Sequence, residues 1–296
     1  MPQPTIAVFT KNRLNPAYDA ARAAADRVAA ESGARTIHYV PETPDDVGEQ
    51  KALVAEALRA RVSGVVFNPT DDNAMREDLE RLAVAGIPVA IFINRMDGPA
   101  LTFVGSDDIA IGHAVATALI AGVGGKGRLV ALDGTPSART ARDRADGLRH
   151  AVAEHPGIEL IDSRIGYLQR APAKAAMDEL LAKHARIDGV WTANDMMAFG
   201  VVDALAAAGR TAEVVGINGL TEAIANIERG AMLASADFSA LNIAAIATRA
   251  VLRHLDGKPV PKEILVPAEL IDRSNIGRWK VPMIDRPCPR WDEIVR

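Results

Sequence analysis

The chain of 296 residues is 49% hydrophobic and 24% charged, with 34 basic against 38 acidic side chains. It is too long for one small core, too apolar for disorder and too evenly charged for a nucleic-acid-binding surface, so two globular domains are expected. A single cysteine, Cys288, excludes an internal disulfide framework and a multi-cysteine metal site, and no apolar run is long enough to span a bilayer.

The opening "MPQPTIAVFT" lacks the basic segment and apolar stretch of a secretory signal, so the chain reads as cytosolic or as a mature form with a replacement methionine. "TIAVFT" reads as a first strand, followed by an alanine-rich helix over 16–32. Between them sit Lys11, Asn12, Arg13 and Asn15, polar groups with little use in a packed core. "TIHYV", "GVVFNP", "PVAIFI" and "TFVGS" continue the strands, with helices expected over 46–61, 72–85 and 109–121. "RLVALDG", "ELIDSRIG", "GVWTAN" and "VVGING" follow, alternating with helices over 139–155, 172–184, 195–208 and 220–229. A helix over 241–256 and the extended stretch "EILVPAELID" complete the series.

Strand and helix alternating in this way predict crossover units and parallel sheets. "GVVF" is apolar on both faces, as a strand covered by helices on each side should be. Asp45 and Asp46, Asp71 and Asp72, and Asp107 and Asp108 stand where carboxylates cap helix N-termini. The fold class expected is therefore α/β, with two doubly wound parallel-sheet domains and a C-terminal segment free to return to the first.

The glycines of "AGVGGKGRLVALDG" end a helix and precede a strand, which is the reverse of a phosphate-binding loop, so they read as a C-cap and turn. No nucleophile-elbow pattern is present, and no two of the six histidines have the spacing of helical metal ligands. Neither a cofactor nor a metal is expected. Polar residues do recur at strand ends: Lys11 to Asn15, Asn68, Asn94 and Arg95 in the first half, and Gln169, Asn194 and Asn218 in the second. Arg144 lies in the first turns of the helix after "ALDGTPSA". Ligands of open parallel sheets bind at the carboxyl ends of strands, so two such domains facing each other would line a cleft with amides and cations.

At these residues the sequence resembles the ribose-type periplasmic binding proteins, the substrate-binding subunits of sugar ABC transporters. The resemblance runs from about residue 5 to 270 and rests on "NPAYDAARAAAD", "VVFNPTDDNA", "AGIPVAIFINR", "ARDRADGL", "VWTANDMMAFGVVDAL" and "VVGINGLTEA" in register. It implies two domains joined by a three-crossing hinge, with crossings near 106–109, 237–240 and 267–270. The domains would span 1–107 plus 239–268, and 108–238 plus 269–296 with an extended tail. The ligand positions it implies are Asn15, Tyr18, Asn68, Asn94, Arg95, Arg144, Asn194 and Asn218, with Asp237 or Phe238 at the second crossing. Lys11 and Gln169 are added from strand-end placement.

The sequence departs from the family pattern in four places. Ala17 and Leu168 stand where relatives have aromatics, and Asn94 and Asn218 where sugar binders commonly place aspartates. The tail from about residue 274 extends beyond the pattern and is expected to pack through Trp279 and Trp291.

The function implied is a non-enzymatic solute receptor for an ABC importer, binding a small sugar, polyol or sugar acid. It would be monomeric and periplasmic with its signal removed, and would meet a permease without inserting into the membrane. The alternative is the effector domain of a lac-repressor-family regulator, whose DNA-binding region has no room before a strand beginning by residue 5. Lys11, Arg95 and Arg144, with only Asp237 expected to face them, suggest an acidic ligand such as a sugar acid or its lactone. A neutral polyol or pentose held by amides is the other possibility.

Overall fold

The computed structural model describes residues 3–295. In chain order the first elements are β1 (Thr5–Phe9), α1 (Pro16–Glu31), β2 (Arg35–Tyr39), α2 (Val47–Arg59), β3 (Gly64–Phe67), α3 (Arg76–Val84), β4 (Val89–Phe92) and β5 (Thr102–Gly105). Next come α4 (Asp108–Gly122), β6 (Gly127–Asp133), α5 (Arg139–Ala153), β7 (Ile158–Ile165), α6 (Arg170–Lys183), β8 (Gly189–Thr192), α7 (Asp195–Ala208), β9 (Glu213–Ile217), α8 (Thr221–Arg229) and β10 (Ala234–Asp237). The chain closes with α9 (Ala240–Leu255), β11 (Glu263–Leu265), β12 (Glu269–Ile271) and α10 (Trp291–Ile294).

Two compact units result. One holds the chain up to Ser106, Ser239–Val266 and the segment from Met283 onward; the other holds Asp107–Phe238 and Pro267–Pro282. The first unit's sheet runs β11-β5-β4-β3-β1-β2, with every neighbouring pair parallel. The second runs β12-β10-β9-β8-β6-β7, parallel except for β12 at its edge. Both are doubly wound. The strand order reverses between β1 and β3 in one sheet and between β6 and β8 in the other, which opens a crevice at those carboxyl ends.

Burial follows the apolar runs. In the first sheet Phe9 stacks on Tyr39 with ring centroids 4.9 Å apart and meets Phe67 edge-on at 5.2 Å. The glycine run after α4 turns the chain through Gly124 and Gly125 at φ 77° and 76°, as expected of a C-cap and turn.

Four expectations need correction. Ala234–Asp237 forms β10, which its Ala-Ser-Ala-Asp composition hides because none of these residues favours strands. "EILVPAELID" is not one stretch but two strands, β11 and β12, one on each sheet. The helix expected from 72 begins at Arg76, because Asp71 Oδ1 accepts Asn73 N at 2.9 Å and Ala74 N at 2.8 Å, forming a separate turn. The tail does not stay with the second domain past Pro282, so the chain passes between the units a fourth time. Trp279 is buried in a short helical turn beside α8. In the first unit, Arg27 donates to the carbonyls of Arg286 and Ile284 at 3.0 Å each, and Arg253 lies 4.5 Å over the Trp291 ring.

Candidate functional site

In the first unit, the loop after β1 carries Lys11, which is 1% exposed, and Asn15, which caps α1 by accepting Ala17 N at 3.0 Å. Tyr18 is buried one turn into that helix. Asn12 folds the loop: its Oδ1 accepts Leu14 N at 3.1 Å and Asn15 N at 3.0 Å, while its Nδ2 donates to Asp45 Oδ1 at 2.8 Å.

After β3, buried Gln50 of α2 donates to the Asn68 carbonyl at 3.0 Å and accepts Thr70 N at 2.8 Å. This fixes the backbone beneath Asn68. The Asn68 Oδ1 accepts Asn94 Nδ2 at 2.8 Å, so two predicted amides meet at the ends of β3 and β4. That bond orients the Asn68 amide and leaves its Nδ2 buried without a hydrogen-bond partner among the described residues. An orphaned buried donor costs about 1–3 kcal/mol, which an acceptor on a ligand would recover. Arg95 does not join this pair. It is held by Glu263 of β11, with its guanidinium 4.1 Å over the Phe103 ring.

In the second unit, Arg144 is reached from α5. Gly112 and Gly147 let α4 and α5 approach closely: a Cβ at Gly112 would overlap the Arg144 carbonyl, and one at Gly147 the Ile109 carbonyl. The guanidinium donates to Asp108 Oδ1 at 2.7 Å and to the Ala193 carbonyl at 2.9 Å, and sits 5.1 Å from the Phe238 ring centre. Arg144, Phe238 and the end of β8 are thus brought together. Burial pushes the Asp108 carboxyl up and outweighs the attraction of Arg144. Asp107 is the true helix cap, accepting Ala110 N at 2.9 Å, so the capping expectation fails for Asp108. The expectation that only Asp237 faces the cations fails too, since Asp108 and Glu263 each take one.

The N-terminus of α7 ties two loops. Asn194 caps it by accepting Met197 N at 2.9 Å and donates Nδ2 to the Leu168 carbonyl at 3.0 Å, fixing the loop that leads to half-buried Gln169. Asp195, next in sequence and 0% exposed, accepts Leu220 N at 2.9 Å and the Ser235 hydroxyl at 2.7 Å, beneath the turn that carries Asn218. Burial raises its carboxyl to about 7. Asn218 and Asp237 are both buried at neighbouring strand ends, β9 and β10.

Backbone strain collects at the same ends. Ile93 at φ 62°, Tyr167 at 53°, Leu168 at 58°, Asn218 at 148° and Ser239 at 63° all follow strand C-termini. Side chains rarely adopt such angles unless the surroundings enforce them, and they gather at binding sites. Gln50, Asp108 and Asp195 escaped sequence reasoning. Two of them are acids beside helix starts, where capping is the ordinary explanation.

The model of the periplasmic binding protein domain matches residues 6–259. The chain is 29% identical over 269 residues to a ribose import binding protein of Bacillus subtilis, covering 90% of this chain and 86% of that protein. It is similar to an ABC transporter solute-binding protein of Mycobacterium smegmatis solved with bound glycerol, at 28% identity and TM-score 0.88 over 93% of this chain and 96% of that one. An ABC transporter periplasmic solute-binding protein of Actinobacillus succinogenes, solved with bound D-allose, gives 26% identity and TM-score 0.87 over 92% and 98%.

Proposed function

The chain belongs to the periplasmic binding protein family, and we propose that it is the solute-binding subunit of an ABC importer, specific for a small neutral sugar or polyol. Its relatives include a ribose import protein and solute-binding proteins holding D-allose and glycerol. It works in the periplasm, carries out no chemistry on its ligand and hands that ligand to a permease. The strand-end residues Lys11, Asn15, Tyr18, Asn68, Asn94, Gln169, Asn194, Asn218, Asp237 and Phe238 supply its contacts together with Arg144 of α5, so that Lys11 and Arg144 are the charged donors.

One observation carries the neutral reading: Arg144 is closed by Asp108, as Arg95 is by Glu263. Two of the three cations that favoured an acidic ligand therefore have their counter-charge within their own unit. A buried charge calls for a counter-ion only where none is present, and here the protein supplies it. What remains for the ligand is mainly amide chemistry, which suits hydroxyl groups because each amide both donates and accepts.

A thermal-shift screen of matched pairs tests this: D-ribose against D-ribonate, D-allose against D-allonate, and glycerol against glycerate. The neutral member of at least one pair should stabilise the protein, by about 2.7 kcal/mol at ~100 times its dissociation constant. Stabilisation by the acids alone would sink the neutral reading, and no response from any pair would remove the assignment to these compounds.

A further inference from the structure

Three successive backbone N–H groups in the turn after β9 are each held from below. Asn218 N donates to the Ala236 carbonyl at 2.8 Å, Gly219 N to Ser235 Oγ at 3.1 Å, and Leu220 N to Asp195 Oδ2 at 2.9 Å. The second and third bonds are joined, because the Ser235 hydroxyl that accepts from Gly219 donates onward to Asp195 Oδ1 at 2.7 Å. Space for this carboxylate is reserved in the sheet: a Cβ at Gly216 would overlap Asp195 Oδ1.

The turn needs such support. Asn218 sits at φ 148° and Gly219 at φ 64°, a pair of angles the isolated chain would leave. Both carboxyl oxygens are used as acceptors here, and in the ionised form the group makes stronger bonds to backbone N–H than a neutral acceptor does. The acid is also costly where it stands. It is wholly buried, Asp237 on β10 repels it, and burial raises its carboxyl to about 7 despite the attraction of Arg144 on α5. A buried carboxylate without a dedicated cation is a poor stabiliser, so its benefit lies in what it positions.

We infer that Asp195 is a positioning residue for sugar binding: through Ser235 and Leu220 N it holds the strained turn that presents the Asn218 amide. This rests on the sugar-binding reading above. With Asn194 tied to Leu168, the first two residues around the start of α7 then set two strand-end loops at once.

Two measurements test it. In the ligand-free protein, hydrogen exchange should show the Leu220 amide losing protection about tenfold in Asp195→Ala, and Gly219 losing it similarly in Ser235→Ala, with Asp195→Asn intermediate because it keeps one acceptor oxygen. Calorimetry with D-ribose and D-allose should show Asp195→Ala weakening affinity about tenfold in the wild type and hardly at all in an Asn218→Ala background. Ser235→Ala serves both measurements should Asp195→Ala fail to fold. Unchanged protection at Gly219 and Leu220, or an affinity loss that persists in full without the Asn218 amide, would overturn the inference while leaving the importer reading standing. If neither sugar binds even the wild type, the proposed ligand class falls, and the exchange data alone decide whether Asp195 holds the turn.

Discussion

Arg144 Nε donates to Asp108 Oδ1 at 2.7 Å, and each of the two side chains is 6% exposed. They come from different helices, 36 positions apart in sequence, and meet only because glycines let those helices touch. Removing one partner strands the other charge in the interior, at a cost of about 3–5 kcal/mol. Arg144→Ala should therefore destabilise the ligand-free protein as well as weaken sugar binding. The double variant Arg144→Met with Asp108→Ala should regain most of the stability but none of the affinity. Urea unfolding and calorimetry check this, and a single variant as stable as the wild type would refute it.

The second prediction concerns pH. Asp195 is raised from 3.8 to about 7, so between those values the native state keeps a proton that the unfolded chain has released. Its contribution to stability is present in full below the unfolded pKa and is lost as pH rises through the folded one. Asp195→Asn cannot ionise. The stability of the wild type relative to this variant should fall with rising pH across that window, by on the order of a few kcal/mol. Urea denaturation of both proteins at several pH values measures it; parallel curves would mean that Asp195 titrates normally.

Close approach of α4 and α5 should be intolerant of a single methyl group. Gly147→Ala would force a Cβ against the Ile109 carbonyl, and overpacking of this kind costs about 1–3 kcal/mol. Because the displaced helix carries Arg144, sugar affinity should fall as well. Gly277→Ala is the control: beyond the adjoining backbone and chain neighbours nothing lies within 4 Å of the added Cβ, and the cost should stay within ~0.5 kcal/mol. Equal melting temperatures for the two variants would contradict the packing described.

Gln50 offers a fourth test, since it reaches no predicted site residue except through backbone. Gln50→Ala leaves the Asn68 carbonyl and Thr70 N without their partner, at a cost of about 1–3 kcal/mol. The Asn68–Asn94 pair above it should loosen, seen as weaker sugar binding and as faster exchange at Thr70. Stability lost with affinity unchanged would show that the loop after β3 does not set the Asn68 amide.

How far the sequence could be read depended on distance along the chain. Helix starts with a local side-chain cap, such as Asp46 and Asp107, were visible because donor and acceptor lie three residues apart. β10 was not, because a central strand of small residues is specified by neighbours on both sides rather than by its own propensity. Asn68 and Asn94, read only as two separate strand-end amides, bond to each other, and Arg95 turns to Glu263 on β11, 168 positions away.

By itself the sequence determined the alternation of strand and helix and two α/β domains, and it singled out the polar residues that stand at strand ends. Those follow from periodicities of two and 3.6 residues and from turn chemistry, which act over a few residues at a time. Only the tertiary structure decided which charges remain available there. Asp107 and Asp108 are adjacent acids of identical local preference, yet Asp107 caps its helix and Asp108 neutralises Arg144 in the interior. Asp195 looks like one more acid at a helix start until β9 and β10 bring Leu220 N and the Ser235 hydroxyl to its two oxygens. Electrostatic pairing depends on distance and burial in space, and neither is encoded at the position where the charge is written.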